Sequence, residues 1–366
     1  MKNHKFSKPF LFTSITEYCK ITKPKIQKFM VMNIKHGAII YPMSSITLSA
    51  RADTHPNLRP LSVLRDLPAV ADLIETCFSS TMDSEGKQYV QDMRRAGKDN
   101  SFMTWANRAA ETTSLPLSGY VWEENGKVVG NASLIPFRHN KQRIYLIANI
   151  ATHPDHRRKG IASALTERAM QHAHEKKVDN IWLHVREDNP GAIDLYTKLG
   201  FVERARRTSW QASTDSHAPT LKTDIVITSR HPNDWQTQLN WLSRLYPDLL
   251  SWHRNWTFTS LRPGLWNWLY LLFVDMNVQQ WVAVRNKEME AALAWIPYGR
   301  GESLFAATGE RSDPDALTTL LLQARRELSH SHPQIALEFP AGEFDNAIQA
   351  AGFKSLRTLI WMQATS

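Results

Sequence analysis

Between Ile150 and Ala162 an apolar strand, Ile150-Ala151-Thr152, runs through His153-Pro154-Asp155-His156 into Arg157-Arg158-Lys159-Gly160-Ile161-Ala162 and opens a helix. These residue types in this order suit the binding of an anion. Backbone N–H groups at a helix N-terminus lack an internal partner, and the helix dipole adds positive potential there. Three consecutive basic residues add charge, and Gly160 and Ala162 are small enough for a phosphate to approach the backbone closely. Downstream, Asn189 and Tyr196 stand seven residues apart, ahead of Gly200-Phe201. A tyrosine phenol with an ordinary pKa of about 10 is protonated at neutral pH and can donate to a group that becomes negative.

The pattern Arg157-x-x-Gly160-x-Ala162, followed by Asn189-x-x-Ala192-x-x-x-Tyr196-x-x-x-Gly200-Phe201, resembles the acyl-CoA-binding motif of the GNAT superfamily of N-acetyltransferases. The resemblance implies that Arg157, Arg158, Lys159, Gly160, Ile161, Ala162 and Ser163 hold the pyrophosphate of acetyl-CoA. It also implies that Ile150, Ala151 and Thr152 present backbone edges to the pantetheine arm and acyl carbonyl. Asn189 would touch that arm, and Tyr196 would protonate the departing thiolate. The expected reaction is direct attack of a primary amine on acetyl-CoA in a ternary complex, the acceptor being a peptide N-terminus or a small metabolite. The alternative is a catalytically idle acyl-CoA-binding sensor or scaffold. One fold hosts many substrates, so the resemblance leaves the acceptor open.

His184 departs from the pattern of the ribosomal-protein alanine acetyltransferases, to which the motif region is similar and which carry glutamate five residues before the asparagine. With an ordinary pKa near 6.5, a histidine there is suited to take the proton of an α-ammonium of pKa about 8, directly or through water. A tolerated strand residue at the sheet rim is the other role, and both stay open. His153 and His156 are spaced like metal ligands, but no Cys or carboxylate cluster completes a site, and no metal is expected. Trp105 and Trp122 are either acceptor-pocket walls or core residues. His172, His174, His330 and His332 read as solvated helix-end residues, and Cys77 as a core residue.

The elements that must position these groups alternate. Leu58 to Arg65 reads as a strand, Pro68 to Phe78 and Lys87 to Ala96 as helices, and the Asn125-Gly126 pair as a hairpin turn between two strands. Arg143 to Thr152 is a long apolar strand. Ile161, Leu165, Ala169 and Ala173 recur at helical spacing, and strand, helix and strand follow at 180–186, 190–199 and 200–211. Gly200-Phe201 through Trp210 is then echoed by Gly352-Phe353 through Trp361, each after a predicted helix. Three strands at 280–284, 291–296 and 303–308, a helix at 315–328 and a strand at 334–339 precede the second copy of that echo.

The fold expected is α/β: two tandem GNAT domains, each a mixed, mainly antiparallel sheet flanked by helices. Residues 1–56 form a basic extension, 57–213 the catalytic copy, 214–221 a polar linker and 222–366 a degenerate copy. Aligning the Gly-Phe pairs places Ala341 at the Asn189 position and Ile348 at the Tyr196 position, and the turn at Gly309 lacks the Arg-x-x-Gly-x-Ala spacing.

Length and composition bound the rest. Two domains fit 366 residues better than one core. A hydrophobic share of 42% and a charged share of 22% are globular values, and no apolar run nears the roughly 18 residues of a membrane span. The net charge of +9 sits mostly ahead of residue 58, where nine Lys/Arg face Glu17 and Asp53. A folded basic face is thus lacking, which disfavours nucleic acid as the partner. Residues 1–42 read as a tail or as an extension ahead of a later start, without the compact apolar run of an export signal. Two cysteines give no disulfide framework, so a cytoplasmic setting is expected.

Overall fold

The computed structural model describes residues 55–99, 102, 106, 114–253, 257–264, 278–296 and 303–365. The basic extension as far as residue 54 and Trp105 lie outside them. The chain divides into two compact units: one holds the described residues up to Pro136 together with Ile144–Ile181, the other Phe137–Arg143 and the chain from Trp182 onward.

In the first unit, β1 (Leu58–Pro60), β2 (Ser118–Glu124), β3 (Lys127–His139) and β4 (Gln142–Thr152) lie in sequence order. The hairpin between β2 and β3 turns at Asn125 and Gly126, both with positive φ, as the sequence required. Helices α1 (Val63–Phe78) and α2 (Ser84–Ala96) bury Val63, Leu67, Val70, Ile74, Val90 and Met93 in a common core. Helix α1 starts five residues earlier than proline placement suggests. Asp66 explains the difference: its carboxylate accepts the Ser62 N–H at 2.8 Å and both terminal nitrogens of Arg59, at 2.6 and 2.9 Å. That anchor nucleates a first turn ahead of Pro68. The proline is tolerated inside the helix because the carbonyl it leaves without a donor belongs to exposed Leu64, where water can serve it.

Helix α3 (Ile161–Glu175) buries Ile161, Leu165, Ala169 and Ala173, the predicted stripe. Its approach to β3 is set by Gly130, where an added Cβ would stand 2.8 Å from Ile161 and 2.9 Å from Leu165. The start of α3 is thereby held close to the sheet.

The second unit orders its strands β5 (Asn180–Arg186), β12 (Lys354–Ala364), β6 (Phe201–Ser213), β11 (Gln334–Pro340), β10 (Leu304–Thr308), β9 (Glu288–Trp295), β8 (Gln279–Arg285) and β7 (Val226–Thr228). All its pairs are antiparallel except β10 with β11. Among the described residues its helices are α4 (Pro190–Lys198), α5 (Trp235–Leu245), α6 (Pro314–Glu327) and α7 (Asp345–Ala350).

The sequence echo becomes a strand exchange. Gly200 and Gly352, at φ +85° and +83°, reverse the chain after α4 and α7. The strands that follow, β6 and β12, pair antiparallel from Lys354 opposite Gln211 to Ala364 opposite Phe201. Thr208 and Thr358 meet in mid-ladder, hydroxyl to hydroxyl, at 2.9 Å. Consequently β5, from the first copy, borders β12 of the second, and β11 borders β6 of the first. The compact units cut across the sequence copies for this reason.

Arg207 fastens the exchange. It is 4% exposed, pairs with Glu338 of β11, donates to the Leu245 carbonyl at 2.7 Å and lies over the Tyr246 ring at 4.8 Å. Removing one partner of a buried pair costs about 3–5 kcal/mol. Arg207→Ala is expected to lower the unfolding free energy by roughly 3 kcal/mol, read as a shift of the urea midpoint; a shift within error would show that the pair contributes nothing.

Candidate active site

The turn ahead of α3 is built without a side-chain cap. His153 donates its N–H to the Val129 carbonyl at 2.8 Å, and Pro154–His156 form one 3-10 turn. His156 Nδ1 lies 2.9 Å from Glu124, whose other oxygen accepts from the Trp122 indole at 2.9 Å. That indole contact first, and the charges of His156 and Lys159 after it, hold the Glu124 carboxyl below the usual range. Trp122 is buried, its ring 4.2 Å from that of His55, so it braces the turn from the core. The two histidines with ligand-like spacing are thus occupied structurally, and no group of three or more potential metal ligands exists among the described residues.

Arg158 and Gly160 are both left-handed, at φ +63° and +77°. An added Cβ at Gly160 would meet nothing within 4 Å, so the glycine answers to backbone conformation rather than to protein packing. Gly160 is the N-cap of α3, no side chain caps the helix, and its first turn holds no acidic residue. The N–H groups of Ile161, Ala162 and Ser163 are therefore left to an outside acceptor. Arg157, Arg158 and Lys159 are exposed beside them. Two left-handed residues in such a turn form the kind of concavity that takes a phosphate. The Ser163 hydroxyl donates to Glu167 at 2.8 Å, which turns its side chain to the helix surface.

Strand β4 is bent just before Ile150, a feature the sequence reading missed. Asn149 sits within the strand at φ +52°. Its Nδ2 donates to the Tyr89 hydroxyl at 2.9 Å, and its carbonyl accepts from Asn131 Nδ2 at 2.8 Å. Asn131 is fully buried and also donates to Ser133. A left-handed residue interrupts the regular ladder and re-aims the backbone of Ile150, Ala151 and Thr152. The available signal was an asparagine inside an apolar strand, a residue type enriched at positive φ. The Thr152 carbonyl accepts from Cys77 Sγ at 3.2 Å and Arg157 Nε at 3.3 Å, while its buried hydroxyl has no partner. Burial raises the Cys77 thiol pKa, against the pull of Arg157. His172, expected in solvent, is instead half-buried, 2.9 Å from the Tyr120 hydroxyl, because Tyr120 lies under the last turns of α3.

The remaining candidates belong to the second unit. Asn189 is exposed and caps α4, its Oδ1 accepting from the Ala192 N–H at 3.2 Å, which leaves its Nδ2 as a donor. Tyr196, on α4, is 6% exposed and meets the Phe201 ring edge-on at 6.2 Å. Burial raises its pKa, which secures the protonated phenol. His184, on β5, reaches solvent, yet the protein packed around it pushes its pKa down to about 4. Desolvation is the main cause and the Arg357 charge adds to it, while Glu338 opposes. The imidazole is neutral at pH 7.

The matching turn of the second copy is closed by its own side chains. Asp313 caps α6 by accepting the Asp315 N–H at 2.8 Å and pairs with Arg285 at 2.5 Å. Ser312 Oγ accepts from the Gly309 N–H at 2.7 Å and donates to the Glu290 carbonyl at 2.5 Å, and the Asp313 N–H donates to the Glu290 carboxylate at 3.3 Å. The backbone donors at α6 thus meet carboxylates, whereas those at α3 are bare.

If Asn149 acts through backbone geometry, Asn149→Gly, which tolerates positive φ, keeps CoA affinity within about threefold. Asn149→Val, for which that conformation is strained, should weaken it by about tenfold or more, since such strain costs ~1–3 kcal/mol. Calorimetric titration with CoA reads both, and equal losses would assign the effect to the side chain instead.

Residues 71–201 match the family model described as Acetyltransferase (GNAT) family. Over 67 residues the chain is 40% identical to the [ribosomal protein bS18]-alanine N-acetyltransferase of Escherichia coli K12, covering 18% of this chain and 45% of that protein. Over 97 residues it is 33% identical to an uncharacterized N-acetyltransferase of Methanocaldococcus jannaschii, covering 25% and 42%. The chain thus spans less than half the length of these relatives. A GCN5-related N-acetyltransferase from Sphaerobacter thermophilus shares the fold, with a TM-score of 0.50 at 14% identity over 84% of this chain and 95% of that one. The bare, glycine-capped helix start thus lies inside a segment, residues 71–201, that matches the GNAT acetyltransferase family, and the chain as a whole has the α/β fold of tandem GNAT domains.

Proposed function

We propose that this chain transfers the acetyl group of acetyl-CoA to a primary amine by direct attack, with one catalytic centre per chain in the first copy. The observation that carries the reading is the start of α3: left-handed Gly160, no cap, no carboxylate, and three basic residues, against a carboxylate-filled counterpart at α6. Backbone N–H groups from Arg158 to Ser163 would bind the pyrophosphate, and the re-aimed edge at Ile150, Ala151 and Thr152 would receive the pantetheine arm and the acyl carbonyl, with Asn189 Nδ2 on that arm.

In the reaction a neutral amine forms the C–N bond, the tetrahedral oxyanion collapses and the C–S bond breaks. Tyr196 gives its proton to the sulfur, and the proton shed by the new ammonium centre restores the phenol through solvent. His184 is neutral, the state a proton acceptor needs. Moving a proton from an ammonium of pKa about 8 to a site near 4 is nonetheless uphill by roughly 5 kcal/mol. We therefore assign His184 to orient the amine or a water that carries the proton, rather than to store it. An α-amine acceptor is supported by the likeness to the bS18-alanine acetyltransferase. No helix among the described residues is long and apolar enough to cross a membrane; we infer a cytoplasmic enzyme.

Thiol release from acetyl-CoA over a panel of amino-acid amides, peptides and polyamines tests the reading, and CoA binding without release for any acceptor would sink it. Tyr196→Phe is expected to lower kcat by about 10²–10⁴ while sparing CoA affinity; unchanged turnover would remove Tyr196 from the mechanism. Because the folded pKa of His184 lies below its ordinary 6.5, the ring stays neutral from neutral pH down to about 4. With an amine of pKa about 8, kcat/KM should rise with pH toward that value without a break near 6.5. A break at 6.5 that vanishes in His184→Gln would instead make His184 the titrating base.

A further inference from the structure

Around His184 the second compact unit gathers an aromatic enclosure. Trp182 and His184 alternate onto one face of β5, and Trp361 of β12 stands directly across from His184, with ring centroids 5.1 Å apart. A 3-10 segment at Asp248–His253 brings Trp252 within 5.9 Å of both Trp182 and Trp361. The same segment stacks His253 on Trp361 at 4.8 Å and 22°. Phe137, at the tip of the β3–β4 hairpin, meets Trp252 edge-on at 4.9 Å. Ser251 fixes this wall: its hydroxyl donates to the Asp248 carbonyl at 2.6 Å and lies 3.0 Å from His139 Nε2 on the hairpin tip.

Two observations set the enclosure apart from ordinary core. Its central imidazole, His184, reaches solvent. Trp252 and Trp361, each 6% exposed, carry buried indole N–H groups that donate to no acceptor. Buried indoles usually find a partner, and an unsatisfied buried donor costs about 1–3 kcal/mol. The enclosure thus offers apolar faces and two spare donors, and its one acidic residue, Asp248, is exposed and contributes its backbone carbonyl to the Ser251 hydroxyl. The carboxylate that acts on His184, that of Glu338, is paired with Arg207, and Arg357 adds positive charge. A polyamine or an aminoglycoside would meet the like charge of Arg357 beside His184.

We propose that this enclosure is the acceptor subsite, and that it selects a primary amine carried beside a large apolar or aromatic group and a carbonyl oxygen. The oxygen accepts from the Trp252 and Trp361 indoles, and the apolar group lies against the aromatic faces. The assignment rests on the acetyltransferase reading above. This chemistry is shared by a free amino-acid amide and by the first residue of a peptide, and substrates of both kinds distinguish the two sources.

The test compares phenylalanine amide, a peptide beginning with phenylalanine, the glycine counterparts of both, and spermidine. Each is assayed for thiol release and for direct binding by saturation-transfer NMR. Phenylalanine compounds are expected to exceed their glycine counterparts in kcat/KM by tenfold or more, within the range a hydrophobic pocket supplies. A preference for the peptide over the amide would assign a polypeptide acceptor, and the reverse a small metabolite. Trp252→Phe, which keeps an aromatic face and removes the N–H, should raise KM for phenylalanine amide about tenfold, the effect falling on the amide rather than on acetyl-CoA. Equal efficiency with glycine amide or spermidine overturns the subsite, as does absence of binding by the phenylalanine compounds. Binding of phenylalanine amide without thiol release from any acceptor sustains the subsite and sinks the acetyltransferase reading. The comparison of substrates uses the unaltered chain, so it stands even if the variant fails to fold.

Discussion

The antiparallel ladder between β6 and β12 is the interaction on which the rest depends. Each of these strands ends one copy of the repeated pattern, and each lies beside the penultimate strand of the other copy. The ladder carries polar as well as apolar contacts: the Thr208–Thr358 hydroxyl pair lies in it, and Arg207 reaches from β6 to Glu338 on β11 and to the Leu245 carbonyl. A buried guanidinium is tolerated only when its donors are satisfied, and here backbone, carboxylate and ring all contribute. The ladder also fixes the neighbourhood of His184, since Trp361 takes its place across from that ring through the β5–β12 register.

The two copies differ in electrostatics more than in fold. Both place a helix after a strand and a turn, and helix dipoles make both helix starts positive. At α6 that potential is neutralised within the protein by Asp313, with Glu290 and Arg285 close by. At α3 it is amplified by Arg157, Arg158 and Lys159 and left open by a left-handed glycine. The two turns thus share a scaffold and differ in the side chains that line it. A few carboxylates at the turn suffice to satisfy the donors a phosphate would have used.

The strand-to-helix turn, the Asn-Gly hairpin and the stripe on α3 were legible because each rests on local chemistry: an N-terminus lacking acceptors, a turn needing positive φ, a helical period. Asn189 and Tyr196 were singled out by their spacing, and the repeat showed in its Gly-Phe pairs. What sequence could not show depends on distant partners. Asp66 moves the start of α1 by binding Arg59 and the Ser62 N–H, a tertiary contact that overrides the proline signal. The bend at Asn149 needs Tyr89 and Asn131 to hold it. The exchange of β6 and β12 is invisible in principle to local reading, since two unexchanged copies would show the same repeat. The low pKa of His184 likewise follows from what surrounds it, not from its residue type.

The exchange also has a consequence for how the chain is made. Ribosomes deliver β5 and β6 well before β12, the strand that must lie between them. During synthesis the first copy therefore waits with a gap in its sheet, its two flanking edges exposed to mispairing until β12 emerges. Contacts of such long sequence separation favour slow folding. Nor can the second copy be removed without consequence, because the product would lose the strand that separates β5 from β6. Through the exchange, the sheet of each copy depends on a strand supplied by the other.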